Sequence, residues 1–133
     1  MTSFLDTSMV VRYLTRDDPE LAAQAARIID RGDPLAVTDV VVVEAAYVLS
    51  SVYAVPRERL VDSLIDFLQK ENIGFSGFDK GWALQGLLLC RPSNRVSFAD
   101  AMIWAAARSM GITTMYALDQ RFPKEGLDVR RDA

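Results

Sequence analysis

Four acidic residues stand where their carboxylates could act together: Asp6, Glu44, Asp100 and Asp119. Asp6 and Asp119 each follow a short apolar run typical of a buried strand, and ligands bind beyond the carboxyl ends of strands in open α/β sheets. Carboxylates about 4 Å apart repel by roughly 4 kcal/mol per pair at an effective dielectric near 20, so acids that converge need a cation. Oxygen ligands without nitrogen or sulfur suit Mg²⁺ or Mn²⁺. Without metal, the repulsion is expected to raise at least one of the four pKa values.

Each of these acids also has a purely structural explanation. Thr7 or Ser8 can cap the helix predicted to follow, with Asp6 belonging to the same cap. Glu44 lies between four valines and two alanines, where a lone carboxylate is costly unless an arginine or a metal ion pairs with it. Asp100 follows Ser97 at helix-capping spacing. Each signal is therefore weak alone, whereas four acids at one end of a single sheet would be specific.

The composition excludes several kinds of catalytic site. The chain has no histidine, so a Ser-His-Asp triad, a Cys-His pair and a histidine-ligated zinc site are impossible. Acid–base chemistry must then come from carboxylates, lysine, tyrosine or metal-bound water. The net charge of −3 argues against wholesale nucleic-acid binding but leaves room for a local basic rim.

Length and cysteine content indicate a cytoplasmic protein with one domain. The 133 residues predict a single domain over residues 1–133. The only cysteine, Cys90, excludes an internal disulfide and fits a reducing compartment; its apolar surroundings favour a packing role over a nucleophilic one. No apolar run reaches the roughly 18–20 residues of a membrane span, and no signal peptide is visible, so no membrane association is expected.

Predicted strands alternate with helices along the chain. The Val40–Val43 run could be a strand, but its apolar pattern continues to Val52, which favours a helix. Strands are expected at Phe4-Leu5, Leu35–Val37, Ile73–Phe75, Thr113–Leu118 and Leu127–Val129. Helices are expected over residues 9–16, 19–32, 40–52, 56–68, 79–89 and 97–111. This alternation predicts an α/β fold, a three-layer α/β/α sandwich with a short parallel sheet of four to five strands.

The acids lie in stretches that resemble a known family. The stretches are Phe4-Leu5-Asp6-Thr7-Ser8, Val43-Glu44, Ser97-Phe98-Ala99-Asp100-Ala101-Met102-Ile103 and Ala117-Leu118-Asp119-Gln120-Arg121-Phe122. Their order and spacing resemble the PIN-domain ribonucleases, with their Rossmann-like fold, and within that family the VapC toxins of toxin–antitoxin pairs. The resemblance covers nearly the whole chain, and its first and third motifs are the more specific ones.

The resemblance implies a metal-dependent endoribonuclease. It makes Asp6, Glu44, Asp100 and Asp119 the catalytic acids that bind Mg²⁺ (or Mn²⁺), with Ser8 as a supporting polar residue. It also implies an RNA substrate, a cognate VapB-like antitoxin that blocks the site, and a homodimer. Many members have an additional acid where this chain has Ser97, which implies a site with fewer acidic residues.

Other interpretations remain open. A PIN-fold domain that binds RNA or protein without cutting is the main alternative, although retention of all four acids argues against it. A flavodoxin-like or receiver-like domain also clusters acids at strand ends, but a matching lysine near the final strand is missing and Glu44 fits poorly. Basic residues that could border the acids are Arg12, Arg16, Lys80, Arg91, Arg95 and Arg121. Three aromatic residues at helical apolar spacing are more typical of a core than of base stacking: Tyr13, Trp82 and Trp104.

Overall fold

The computed structural model describes residues 1–133 and contains six helices and five strands. The helices are α1 (Thr7–Thr15), α2 (Pro19–Ile29), α3 (Asp39–Ser51), α4 (Arg57–Leu68), α5 (Lys80–Cys90) and α6 (Phe98–Ser109). The strands are β1 (Ser3–Phe4), β2 (Leu35–Thr38), β3 (Ile73–Ser76), β4 (Thr114–Tyr116) and β5 (Asp128–Arg130). No helix combines the length and the apolar character needed to cross a membrane.

All strand pairs are parallel, and the predicted three-layer α/β/α architecture is confirmed. β2 lies between β1 and β3, with Phe4 opposite Ala36 and Leu35 opposite Ile73. β4 and β5 form a separate two-stranded sheet instead of extending the first. β1 has two residues and pairs only with β2, and β4 pairs only with β5. The predicted sheet of four to five strands is therefore divided into two sheets.

Most helices begin at the predicted capping residues. Asp18 accepts hydrogen bonds from the backbone of Glu20 and Leu21, and Thr38 caps α3. The prediction for α1 is wrong in detail, because the helix begins at Thr7 and the cap is Asp6, not Thr7 or Ser8. Asp6 Oδ1 accepts the Met9 N–H at 3.1 Å, so a carboxylate at a strand end also starts a helix.

The main core is a cluster of 23 buried residues between the helices and the three-stranded sheet. The Val40–Val43 run is helical as predicted, and α3 buries Val42, Ala45, Ala46 and Leu49. Cys90 is fully buried, and burial raises the pKa of its thiol to about 11. It is therefore a packing residue, since the thiolate is the reactive form of cysteine.

Close packing of α5 against α6 predicts that Gly86→Ala destabilises the fold. A Cβ at Gly86 would lie 2.9 Å from the carbonyl oxygen of Ala101 and 3.1 Å from Met102 Cε. The overpacking costs about 1–3 kcal/mol, which outweighs a helix-propensity gain of about 1 kcal/mol. We expect a lower thermal midpoint for Gly86→Ala and a higher one for Gly81→Ala, whose Cβ would meet Asp79 Oδ1 at 3.7 Å. Equal thermal midpoints for the two variants would contradict the close packing of α5 against α6 at Gly86.

A polar cluster joins the end of α1 to the end of α3 and predicts a pH effect. Asp17 accepts hydrogen bonds from Tyr53 Oη at 2.7 Å and from Thr15 and Arg12 at 3.0 Å. These bonds, with that from Tyr53 the largest, lower the pKa of Asp17 to about 2. Because this lies below the unfolded value of about 4, the cluster stabilises the fold above about pH 4, and that stabilisation is lost as the pH falls to about 2.

The prediction is tested with Asp17→Asn. We expect this variant to unfold at lower urea concentration than wild type at about pH 6, and the difference to vanish near pH 2. Asp66→Asn, at an exposed position without a hydrogen-bonding partner, is the control and should follow wild type at both values. An Asp17→Asn difference that persists unchanged at low pH would show that the charge of Asp17 is not the cause.

Candidate active site

Asp6 and Ser8 form one side of the site, at the carboxyl end of β1. Ser8 Oγ donates a hydrogen bond to Asp6 Oδ1 at 2.7 Å, and the Met9 N–H donates to the same oxygen. These bonds, with that from Ser8 the larger, lower the pKa of Asp6. The Asp6 side chain is exposed and therefore ionised and open to a ligand at neutral pH.

Glu44 lies beside this group, and its carboxylate is exposed and not enclosed by apolar side chains. It is exposed, while its neighbours Ala45 and Ala46 face the core, so the expectation of a costly carboxylate inside an apolar helix is wrong. No arginine pairs with it; instead Thr7 Oγ1 donates a hydrogen bond to Glu44 Oε1. Since Thr7 follows Asp6 directly, this bond brings α3 against the end of β1 and places Glu44 next to the Asp6 side of the site.

Asp100 lies in the first turn of α6 and its carboxylate has no partner. Ser97 Oγ accepts the Asp100 N–H at 3.0 Å, which caps the helix. The half-buried Asp100 carboxylate makes no hydrogen bond and no ion pair, and it does not complete the capping box by reaching back to Ser97. The capping at this helix start therefore comes from Ser97 and leaves the Asp100 side chain available.

Asp119 is already paired. The backbone N–H of Arg121 donates to Asp119 Oδ1 at 2.8 Å, and its guanidinium reaches both carboxylate oxygens at 3.1 Å. These contacts, the side-chain bonds most strongly, lower the pKa of Asp119. The same contacts raise the pKa of Arg121, and Asp100 adds to the rise, so Arg121 lies within electrostatic range of both acids.

Contacts relate the four predicted acids in two neighbourhoods: Thr7 connects Asp6 with Glu44, and Arg121 lies within electrostatic range of both Asp100 and Asp119. No three acidic or cysteine side chains come together in an arrangement that could hold a metal ion, so the predicted four-acid cluster is not assembled in this structure. The pKa values of Asp6 and Asp119 are lowered by their hydrogen-bonding partners, Ser8 and Arg121 respectively. The donor set itself, carboxylates and hydroxyls only, fits a hard cation such as Mg²⁺ or Mn²⁺.

An apolar groove of about 680 Å³ runs between α3 and α6 and connects the two neighbourhoods. Val40 and Tyr47, 66% and 67% exposed, line it on the α3 side, and Ile103 lines it on the α6 side. Glu44 stands at its rim together with Ala99, which precedes Asp100. Sequence reasoning missed this groove, although the apolar residues all around α3 were a signal that one face lacks a partner within the chain.

Most of the basic residues proposed to border the acids are engaged in other contacts. Four are engaged in structural contacts: Arg12 pairs with Asp17, Arg16 lies over the Tyr13 ring, Lys80 donates to two backbone carbonyls, and Arg91 pairs with Glu58 and Asp62. Arg121 pairs with Asp119, and Arg95 donates to the Arg121 carbonyl at 3.4 Å; Arg12 lines a surface pocket together with Ser8. The aromatic residues pack as predicted, with Tyr13 against Phe67 and Trp82 against Trp104.

Comparison with known proteins identifies the family of the chain. The sequence matches the PIN domain family over residues 3–126, a stretch that contains all four acids and every element from β1 to β4. No curated protein matches the chain. PIN domains are generally nucleases, and these nucleases generally use divalent metals such as Mg²⁺. The chain therefore belongs to the PIN domain family.

Proposed function

We propose that this chain is a metal-dependent endoribonuclease and the toxin of a toxin–antitoxin pair. The observation that carries the proposal is the carboxylate of Asp100, which is half-buried, without a partner and next to the Asp119–Arg121 pair. Asp17 is satisfied by its neighbours, whereas the Asp100 carboxylate accepts no hydrogen bond and keeps its oxygens free for a ligand. Membership of a family whose members are generally nucleases supports a catalytic role for this carboxylate.

Asp6, Glu44 and Asp100 would hold Mg²⁺ or Mn²⁺, and Asp119 would complete the site. When bound, such an ion lowers the pKa of a water molecule and neutralises charge on the scissile phosphate. Ser8 fixes the orientation of Asp6, and Thr7 fixes that of Glu44. The Arg121 guanidinium, 68% exposed, can bind a phosphate oxygen pair on the RNA when it leaves Asp119.

A VapB-like antitoxin is the proposed partner. The groove between α3 and α6 offers apolar contacts from Tyr47 and Ile103, and Glu44 and Asp39 stand at its rim. This combination suits a segment that carries apolar side chains and an arginine or lysine, since an arginine binds a carboxylate through two hydrogen bonds. The basic side chain would lie near Glu44 and Asp100, and metal and antitoxin would then exclude each other. We further propose that the chain forms a homodimer. We also propose a cytoplasmic location, which is in keeping with a single unpaired cysteine.

Metal-dependent RNA cleavage is the experiment that tests the proposed activity. Purified protein should cut a mixed RNA pool in Mg²⁺ or Mn²⁺, and EDTA should abolish the cleavage, because the proposed site depends on a cation. Sequencing of the new 5′ ends identifies the target. RNA that is bound but never cut, at any divalent ion concentration, would support the non-catalytic alternative. Cleavage that continues in EDTA would contradict the metal requirement.

A further inference from the structure

Arg57, the first residue of α4, binds both ends of the segment that connects α5 to α6. Its Nε donates to the carbonyl of Cys90, the last residue of α5, and its Nη2 donates to the carbonyl of Val96. The guanidinium also lies 4.6 Å from the ring centroid of Phe98, the first residue of α6. One half-buried side chain thus contacts the last residue of α5 and the residues on either side of the Ser97 cap of α6.

The backbone that Arg57 holds leads directly to Asp100. Val96 precedes Ser97, whose hydroxyl caps α6 by accepting the Asp100 N–H and whose carbonyl accepts the Ala101 N–H at 2.9 Å. The Cys90 thiol also donates to the Ser97 carbonyl at 3.8 Å. Burial raises the pKa of the Cys90 thiol, and Asp100 adds to the rise, so the Asp100 carboxylate is within electrostatic range of that thiol.

Arginine is required at this position because one side chain must donate hydrogen bonds to two carbonyls and stack on an aromatic ring at the same time. The guanidinium is a rigid planar fork with five N–H donors, and its flat face stacks on an aromatic ring. A lysine keeps the positive charge but has a single ammonium group on a flexible stem. It cannot bind the Cys90 and Val96 carbonyls in the same geometry.

A second arginine is itself the first residue of this segment. Arg91 pairs with Asp62 at 2.8 Å and with Glu58 at 2.9 Å on the surface of α4. It bonds neither Val96 nor Ser97, and it lies at the end of the segment far from Asp100. Arg91 therefore provides a matched control, an arginine that holds the segment to α4 without holding the start of α6.

We propose that Arg57 is a positioning residue for Asp100. It fixes the backbone from Cys90 to Val96 so that α6 starts at Phe98 and presents Asp100 from its first turn. The proposal rests on the proposed function for the metal-binding role of Asp100. The position of the helix start is a separate property that can be measured without metal.

Arg57→Lys, compared with Arg91→Lys, tests the proposal. In metal-free protein, Arg57→Lys should speed hydrogen exchange at the Asp100 and Ala101 amides, whereas Arg91→Lys should not. In Mn²⁺ titrations by calorimetry, Arg57→Lys should weaken binding by about 10–100-fold, the usual effect of removing a residue that orients a metal ligand. In an Asp100→Asn background the same change should cause no further loss, because Arg57 acts through Asp100. Phe98→Leu, which removes only the ring contact, is the milder variant if Arg57→Lys does not fold, and it should shift the Asp100 amide exchange in the same direction.

The outcomes separate this proposal from the proposed function. Unchanged exchange at Asp100, or an equal loss of Mn²⁺ affinity with and without Asp100→Asn, would overturn the positioning role. Wild type that neither binds Mn²⁺ nor cleaves RNA, while Arg57→Lys still speeds exchange at Asp100 and Ala101, would overturn the proposed function and support Arg57 as the residue that fixes the start of α6.

Discussion

Asp100→Asn and Asp6→Asn are each expected to lower RNA cleavage by about 10³-fold or more. A bound metal ion stabilises the transition state by several kcal/mol, and a loss of about 4 kcal/mol corresponds to about a 10³-fold slower reaction. Asparagine keeps the shape of the side chain but removes the negative charge that a cation requires. The measurement is the single-turnover cleavage rate at saturating Mg²⁺, with circular dichroism to establish that each variant is folded.

The control is Asp66→Asn, an acid on α4 that makes no hydrogen bond and should leave the cleavage rate unchanged. The fold of the Asp100 variant should also survive, because Ser97 supplies the hydroxyl cap and the Asp100 carboxylate accepts no hydrogen bond. Its stability should change by no more than the helix-dipole effect of about 0.3–1 kcal/mol. Wild-type cleavage rates in either the Asp6 or the Asp100 variant would contradict the catalytic roles assigned here.

Glu44→Gln is expected to weaken the complex with an antitoxin by about 100-fold. Removing one member of a hydrogen-bonded charge pair buried in an interface costs 2–5 kcal/mol or more, and about 2.7 kcal/mol corresponds to a 100-fold change. Glu44 stands at the rim of the apolar groove, where a partner that covers Tyr47 would shield the pair from water. The measurement is the dissociation constant of the complex with the antitoxin co-expressed from the same operon.

Glu71→Gln is the control for this experiment, because Glu71 is exposed and lies by β2 and β3 near Asn72 and Pro34, on a different surface from the groove. It should leave the affinity unchanged, while Tyr47→Ala should lower it through lost apolar contact. An antitoxin that binds equally well to wild type, Glu44→Gln and Tyr47→Ala would show that it docks away from the groove.

Local chemistry explains what the sequence predicted well. The helices begin where Asp18, Thr38, Asp79 and Ser97 offer side-chain oxygens to free backbone amides, which depends on a few adjacent residues. The Val40–Val43 run was recognised as helical because its apolar pattern is too long for a strand. The same local signals predict the order of strands and helices along the chain, and that order is enough to predict the α/β architecture.

Tertiary contacts explain what the sequence could not provide. The pairing of Thr7 with Glu44 joins residues on different helices, and the groove between α3 and α6 depends on which face of α3 finds no partner. The contacts of Arg57 with Cys90 and Val96 likewise join distant parts of the chain. The Asp119–Arg121 pair is local in sequence, but a two-residue spacing carries no signature that distinguishes an ion pair from a solvated arginine.

The central claim is that these acids bind a divalent metal ion, and Mn²⁺ can be located directly in a crystal. Anomalous diffraction from crystals grown with Mn²⁺ should show a peak bound by a carboxylate oxygen of Asp100 and by at least one of Asp6, Glu44 and Asp119. Such binding requires the two neighbourhoods to supply ligands to one ion, with Arg121 released from Asp119 if that acid is a ligand. Well-diffracting crystals at saturating Mn²⁺ with no peak beside Asp100 would contradict the account.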